Sequence, residues 1–77
     1  MLKKLMNENS YKIIVEDYAY EYEFDKNRIV EVIKLTNEYI FNVRYLTNLE
    51  NKIKDEIVKT FRCDTIQDLN DLIRIYK

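Results

Sequence analysis

Residues 16–25 read EDYAYEYEFD, and this run is the clearest structural signal in the chain. Aromatic residues alternate with other residues from Tyr18 to Phe24, which is the two-residue period of a β-strand. One face of that strand takes the aromatic side chains, Tyr18, Tyr20, Tyr22 and Phe24. The opposite face takes Ala19 and a row of carboxylates, Asp17, Glu21, Glu23 and Asp25. The sequence therefore predicts a strand with one aromatic and one acidic face.

The charges of the chain are segregated along the sequence. Residues 16–25 carry five carboxylates and no basic side chain, whereas the rest of the chain carries nine acidic and thirteen basic residues. This run is either a solvated strand edge or an acidic face that meets a basic surface of another protein. The second interpretation predicts a partner-binding site at Glu16, Asp17, Tyr18, Glu21, Glu23 and Asp25.

The length and the cysteine content bound the class of protein. A chain of 77 residues is one small domain with a thin margin of stability. Cys63 is the only cysteine, which favours a reducing compartment over secretion. No apolar run has the length of a signal-peptide core or a transmembrane helix. We therefore expect a soluble cytoplasmic protein without a membrane partner, in the host-cell cytoplasm if a phage encodes it.

The residue types that are missing exclude several chemistries. The chain has no glycine, no proline and no histidine. Glycine-rich phosphate loops and nucleophile elbows are excluded, as are the usual general base and the histidine ligands of zinc. The sequence predicts a protein that is not an enzyme, with no catalytic residue, no metal site and no cofactor. Its turns must be made by Asn, Asp, Ser and Thr.

The first part of the chain predicts one helix and three strands. Apolar spacing predicts a short helix over residues 2–8, and residues 11–24 read as extended with a bend near Glu16 and Asp17. Residues 28–35 and 39–46 read as a hairpin with a three-residue loop at 36–38. Seven of the nineteen residues from Arg28 to Leu46 are β-branched, which favours strands over one long helix.

The last thirty residues predict two helices. Thr47 and Glu50 form a capping-box pattern, followed by an apolar stripe at Leu49, Ile53, Ile57 and Phe61. Residues 64–67 open a second helix with the apolar face Ile66, Leu69, Leu72, Ile73 and Tyr76. The predicted fold is one α+β domain over residues 1–77 in the order α-β-β-β-α-α. Its antiparallel sheet would have three strands, or four, and would pack against the two C-terminal helices.

Two neighbouring helices also raise the possibility of DNA recognition by a helix-turn-helix. Residues 47–77 carry six basic and six acidic residues, however, and the would-be reading helix carries Asp64, Asp68 and Asp71. Phosphates would repel such a helix. The sequence therefore predicts no direct contact with nucleic acid.

The aromatic residues and the cysteine divide between core and surface. Strand spacing predicts a core position for Tyr20, Tyr22, Tyr39 and Phe41. Tyr11 and Tyr18, at the ends of the extended segment, are candidates for an interface. Cys63 lies between the two predicted C-terminal helices, where a buried structural thiol is expected.

The chain resembles the small phage-encoded inhibitors of CRISPR nucleases, in particular the type II-A anti-CRISPR proteins. The likeness covers its size, the predicted element order, the segment Tyr11 to Asp25 and the run Asn37-Glu38-Tyr39-Ile40. The resemblance implies a compact α/β domain whose carboxylate-rich face occupies the nuclease's site for target DNA. A different possibility is a small structural or assembly protein that forms a homodimer, because the expected core is thin and Tyr, Ile and Leu are abundant.

Overall fold

The computed structural model describes residues 1–77, with the elements in the order α-β-β-β-β-β-α. The elements are α1 (Leu2–Glu8), β1 (Lys12–Val15), β2 (Ala19–Asp25), β3 (Arg28–Lys34), β4 (Tyr39–Leu49), β5 (Lys52–Cys63) and α2 (Ile66–Ile75). The predicted order α-β-β-β-α-α is therefore wrong, since the sheet has five strands and only one helix follows it. Neither helix has the length and apolar run that crossing a bilayer requires.

The five strands form one antiparallel meander in chain order, from β1 at one edge to β5 at the other. Pairing register places Tyr20 opposite Val32, Val32 opposite Phe41, and Phe41 opposite Phe61. Paired residues project to the same side of an antiparallel sheet, so this row defines one face, which we call the inner face. The other face, which begins with the row Glu21, Glu31 and Asn42, is called the outer face.

The core lies between the inner face and the two helices. Its buried members are Leu2, Met6, Tyr11, Tyr20, Val30, Val32, Phe41, Val43, Cys63, Leu69 and Ile73. They include residues of both helices and only inner-face residues of β2, β3 and β4, so both helices lie on that face. The outer face has no helix over it.

The predictions for the first half of the chain are confirmed. The N-terminal helix has the predicted bounds, and the extended segment bends at residues 16–18 between β1 and β2. The predicted hairpin is formed by β3 and β4. Tyr20 and Phe41 are fully buried, while Tyr22 and Tyr39 are half-buried against the same core.

The helix predicted after Thr47 is wrong, because residues 52–63 form the edge strand β5. Leu49, Ile53, Ile57 and Phe61 recur every four residues, which fits one face of a helix. In the structure, Leu49 ends β4, Ile53 and Ile57 lie on the outer face, and the register shift at Val58 puts Phe61 on the inner face. Residues 52–63 form a strand because β4 provides an eleven-residue antiparallel partner. Of the four stripe residues, only Phe61 packs against the core, and the other three are exposed.

The hairpin of β4 and β5 is longer than the rest of the sheet. Tyr45 is the last β4 residue that pairs with β3, so residues 46–55 form a two-stranded ribbon with no other strand beside it. We call this ribbon the arm. At about 3.3 Å per residue, the twelve residues of β5 span about 40 Å, which matches the longest dimension of the molecule, 41 Å.

The chain makes its tight turns without glycine, and two of the three left-handed residues are of the predicted types, while the third, Glu50, is not. Ser10, Asp17 and Glu50 adopt left-handed backbone conformations, with φ of 65°, 59° and 52°. Asp tolerates this conformation better than most residues, whereas Glu does not. The arm turn at Glu50 is therefore more strained than the turn at Asp17.

The second predicted C-terminal helix is confirmed as α2. Thr65 caps it, because its hydroxyl accepts a 3.1 Å hydrogen bond from the backbone N–H of Asp68. Leu69 and Ile73 are buried against the sheet. Tyr76 follows the helix and packs its ring against Phe24, Phe41 and Phe61 at centroid distances of 5.9, 5.5 and 6.2 Å.

Candidate protein-binding face

The structure places the predicted site residues in three different locations. Residues 16–18 form the turn between β1 and β2, Glu21 and Glu23 lie on the outer face of β2, and Asp25 lies at the turn into β3. Only Glu21 and Glu23 thus share one side of a strand. The single acidic row predicted from residues 16–25 is therefore wrong, because turns interrupt it at both ends.

Two of the carboxylates at these turns have structural partners. The Lys3 ammonium donates a 2.9 Å hydrogen bond to Glu16, and this contact raises the pKa of Lys3. Asp25 Oδ1 accepts from the backbone N–H groups of Asn27 and Arg28 at 2.9 and 3.0 Å. The Arg28 side chain also pairs with Asp25 at 2.6 Å, and these contacts hold the pKa of Asp25 below its usual value. Asp25 therefore shapes a turn.

The outer face carries a charge network centred on Arg44. Its guanidinium donates to Glu21 at 2.8 Å and lies 3.6 Å from Glu31, which is directly opposite Glu21 in the sheet. Arg44 also forms a two-pronged ion pair with Asp55 from β5. The hydrogen bonds to Asp55 and Glu21 raise the pKa of Arg44, and the Arg44 contact lowers that of Asp55.

A buried amide anchors the middle of this network. Asn42 is the only buried polar residue of the chain. Its side-chain amide donates to Glu31 at 3.1 Å, and its carbonyl accepts from the Thr60 hydroxyl at 2.8 Å. Glu31 is therefore held between Asn42 and Arg44, in a fixed orientation on a rigid sheet.

The centre of the outer face remains acidic after these contacts are counted. Four carboxylates, those of Glu21, Glu23, Glu31 and Asp55, lie there with two cations, Arg44 and Lys12, and Lys12 is opposite Glu21 in the sheet. Arg44 pairs with three of the carboxylates, those of Glu21, Glu31 and Asp55. Glu23 is exposed and has no ion-pair partner. A depression of about 290 Å³ beside Glu21 and Glu23 extends the face towards Lys12 at the β1 edge. The face can accept cationic side chains, and no group of side chains in the chain could hold a metal ion.

Sequence reasoning missed the partners that β3, β4 and β5 contribute. The alternation from Tyr39 to Leu46 places Asn42 and Arg44 on the side opposite the aromatic residues, so this part of the face was accessible from sequence. Asp55 and Thr60 were not accessible, because their segment was predicted as a helix.

The two tyrosines predicted as interface residues have different positions. Tyr18 is 47% exposed in the β1–β2 turn and is available to a partner. Tyr11 is buried and its ring stacks on Tyr22 at 5.3 Å, so the interface prediction for Tyr11 is wrong. Burial raises the pKa of the Tyr11 hydroxyl. Cys63 is also buried, as predicted, and burial raises the pKa of its thiol.

Comparison with protein-family models, with curated proteins and with solved structures gives no match for this chain. The arguments for its function therefore come from the outer face itself. That face combines a rigid sheet, an excess of carboxylates and no covering element.

Proposed function

We propose that this protein is a non-enzymatic inhibitor or binding protein whose outer face docks on a basic surface of another protein. The observation that carries the proposal is the excess of carboxylates on a sheet face with no helix over it, where Glu21, Glu31 and Asp55 pair with Arg44 and Glu23 has no ion pair. Such an excess of negative charge attracts basic partners and sets the orientation of docking.

The geometry of the cluster favours recognition of a positively charged side chain. Glu21 and Glu23 line the depression next to β1, and Glu23 has no cation of its own in the structure. An Arg or Lys from a partner could enter this depression and pair with Glu23. Tyr18 is exposed in the β1–β2 turn, at the other end of the hairpin from this depression, and offers a separate rigid aromatic contact.

The resemblance to type II-A anti-CRISPR proteins names the first partner to test. A CRISPR effector nuclease binds target DNA in a basic channel, and an acidic sheet face could compete with the DNA for that channel. We propose that the chain blocks this channel by protein contact and without binding nucleic acid itself.

The test measures binding of the chain to a guide-loaded type II-A nuclease, together with cleavage of target DNA. Wild-type protein should bind, should inhibit cleavage, and should bind more weakly as salt increases. Glu23→Lys should weaken binding at least tenfold, because it reverses the unpaired carboxylate. Asp17→Asn should weaken it less, since Asn keeps the left-handed turn and removes one charge.

The control is Glu8→Lys, which makes the same charge change on an exposed residue of α1. This variant should bind like wild type. Equal binding by Glu23→Lys and wild type would reject the outer face as the docking surface. Failure of the wild type to bind the nuclease would reject that partner.

A further inference from the structure

The free edge of β5 exposes three apolar side chains, each by more than half. No strand pairs with the edge of β5 that faces away from β4, and Ile53, Ile57 and Val58 are exposed by 73%, 57% and 56%. An exposed strand edge with apolar side chains is a template for pairing with another strand. Regular strand geometry extends only to Ile57, because the register shifts at the next residue, Val58.

The facing of this edge follows from its pairing with β4. Ile53, Asp55 and Ile57 lie on the outer face, opposite Asn48, Leu46 and Arg44. Lys54 and Glu56 alternate with them and lie on the inner side of the sheet, where their side chains are 3.8 Å apart. Because paired residues must share a face, a second strand can pair only in registers that match outer with outer residues.

One such register is self-complementary. When two copies of β5 pair antiparallel around a two-fold axis at Asp55, Lys54 of each copy lies opposite Glu56 of the other. Ile53 of each copy then lies opposite Ile57 of the other. Slipping by two residues in either direction opposes Lys54 to Lys54 or Glu56 to Glu56, which costs free energy.

The central pair of this register opposes Asp55 to Asp55 of the second copy. Each of these carboxylates is already paired with the guanidinium of Arg44 in its own chain. That guanidinium also contacts Glu21 and Glu31, so the repulsion between the two Asp55 side chains on the axis is only partly offset. Two apolar contacts and two ion pairs flank this central pair symmetrically.

We propose that a second copy of this chain binds along residues 53–57 of β5, joining the two sheets into one of ten strands. The axis runs perpendicular to the sheet, so both outer faces lie on the same side of the dimer. Each dimer then presents two acidic clusters side by side. Asp55 belongs to both surfaces, but failure of this proposal can be told apart from failure of the proposed binding, because no residue that the binding test changes lies on β5.

The experiment uses sedimentation velocity at micromolar concentration on wild type and two single variants. Wild type should sediment as a dimer, at twice the chain mass of 9.5 kDa. Lys54→Glu should be monomeric, because residues 54 and 56 are then both Glu and two Glu–Glu pairs face each other across the dimer. Glu56→Lys should be monomeric for the same reason, with two Lys–Lys pairs. An equal mixture of the two variants should form a heterodimer, because every cross-strand pair is then Glu opposite Lys.

Neither substitution should disturb folding, because both side chains are exposed, 61% for Lys54 and 50% for Glu56. Circular dichroism of each variant should match wild type, and Glu8→Lys serves again as a remote charge control that stays dimeric. A wild-type monomer throughout the concentration range would overturn the proposal. So would dimeric single variants, or a mixture that remains monomeric.

Discussion

Three carboxylates from three different strands reach one guanidinium on the outer face, that of Arg44. Glu21 and Glu31 are directly opposite each other in the sheet, an arrangement that is repulsive without a cation between them. Arg44 is also only 19% exposed, so its contacts are partly shielded from water. The side chain therefore holds the acidic cluster together as well as reducing its charge.

Replacing Arg44 by Gln should lower the free energy of unfolding by about 2 kcal/mol at neutral pH, because hydrogen bonds between charged groups are lost. This loss of unfolding free energy should be smaller at acidic pH. Arg44 lowers the pKa of Asp55 in the folded protein, so its stabilisation is present above the ordinary value of 3.8 and disappears as the pH falls through the lowered value. Urea unfolding at neutral pH and near about pH 3 measures the difference.

The matched control for this prediction is Arg74→Gln on α2, where Arg74 is exposed and forms no ion pair. Its effect should stay within about 0.5 kcal/mol at either pH. An Arg44 variant as stable as this control at neutral pH would mean that the carboxylates do not depend on the guanidinium.

At the level of elements, the hairpin of β4 and β5 separates what was predictable from what was not. The strands up to Leu46 were predictable because β-branched and aromatic residues alternate within them. The segment after Thr47 misled prediction because a four-residue repeat and a capping-box pattern both occur in it. A helix that packs on a sheet needs an apolar stripe wider than one position per turn, and residues 49–61 lack the additional positions, since the polar residues Lys52, Glu56 and Thr60 occupy them.

The candidate site was predicted only in part, because sequence shows local alternation but not the pairing between strands. Glu21 and Glu23 follow from local alternation, which sequence reports directly. The contacts of Arg44 with Asp55, and of Asn42 with Thr60, depend on the register between β4 and β5. Register between strands is a long-range property, and a bulge at Val58 shifts it further.

The arm turn offers a test of local strain. Glu50 has a left-handed backbone, which costs a non-glycine residue about 1 kcal/mol. Glu50→Gly should therefore slow amide hydrogen exchange in the arm about fivefold, since the arm can open without the rest of the sheet. Asn51→Gly, next to it at an ordinary φ, should speed exchange because glycine only adds flexibility there. Equal effects of the two variants would show that Glu50 is not strained.

At the scale of the whole molecule, one sheet separates folding from recognition. Its inner face holds the core with both helices, and its outer face holds the charge network. Residues on the two faces of β2 therefore serve different purposes: Tyr20 is 1% exposed in the core, whereas Glu23 is exposed to solvent. Substitutions on the two faces should have opposite consequences for stability and binding.

Tyr20→Ala should destabilise the domain by about 3 to 5 kcal/mol, a large part of the stability of a small domain. Glu23→Ala should change stability by no more than about 0.5 kcal/mol, because it removes an exposed side chain without an ion pair. Chemical denaturation of both variants measures the contrast. If Glu23→Ala unfolded the protein and Tyr20→Ala did not, the assignment of the two faces would be inverted.

The two helices bring the beginning and the end of the 77 residues together on one side of the sheet. Lys77 donates a 2.9 Å hydrogen bond to Asn9, although 68 residues separate them along the chain. Any polypeptide that continues from either end would leave the domain on the side away from the charge network. If the domain were fused or tethered to a surface through either terminus, the carboxylate cluster would therefore face away from the attachment point and stay accessible.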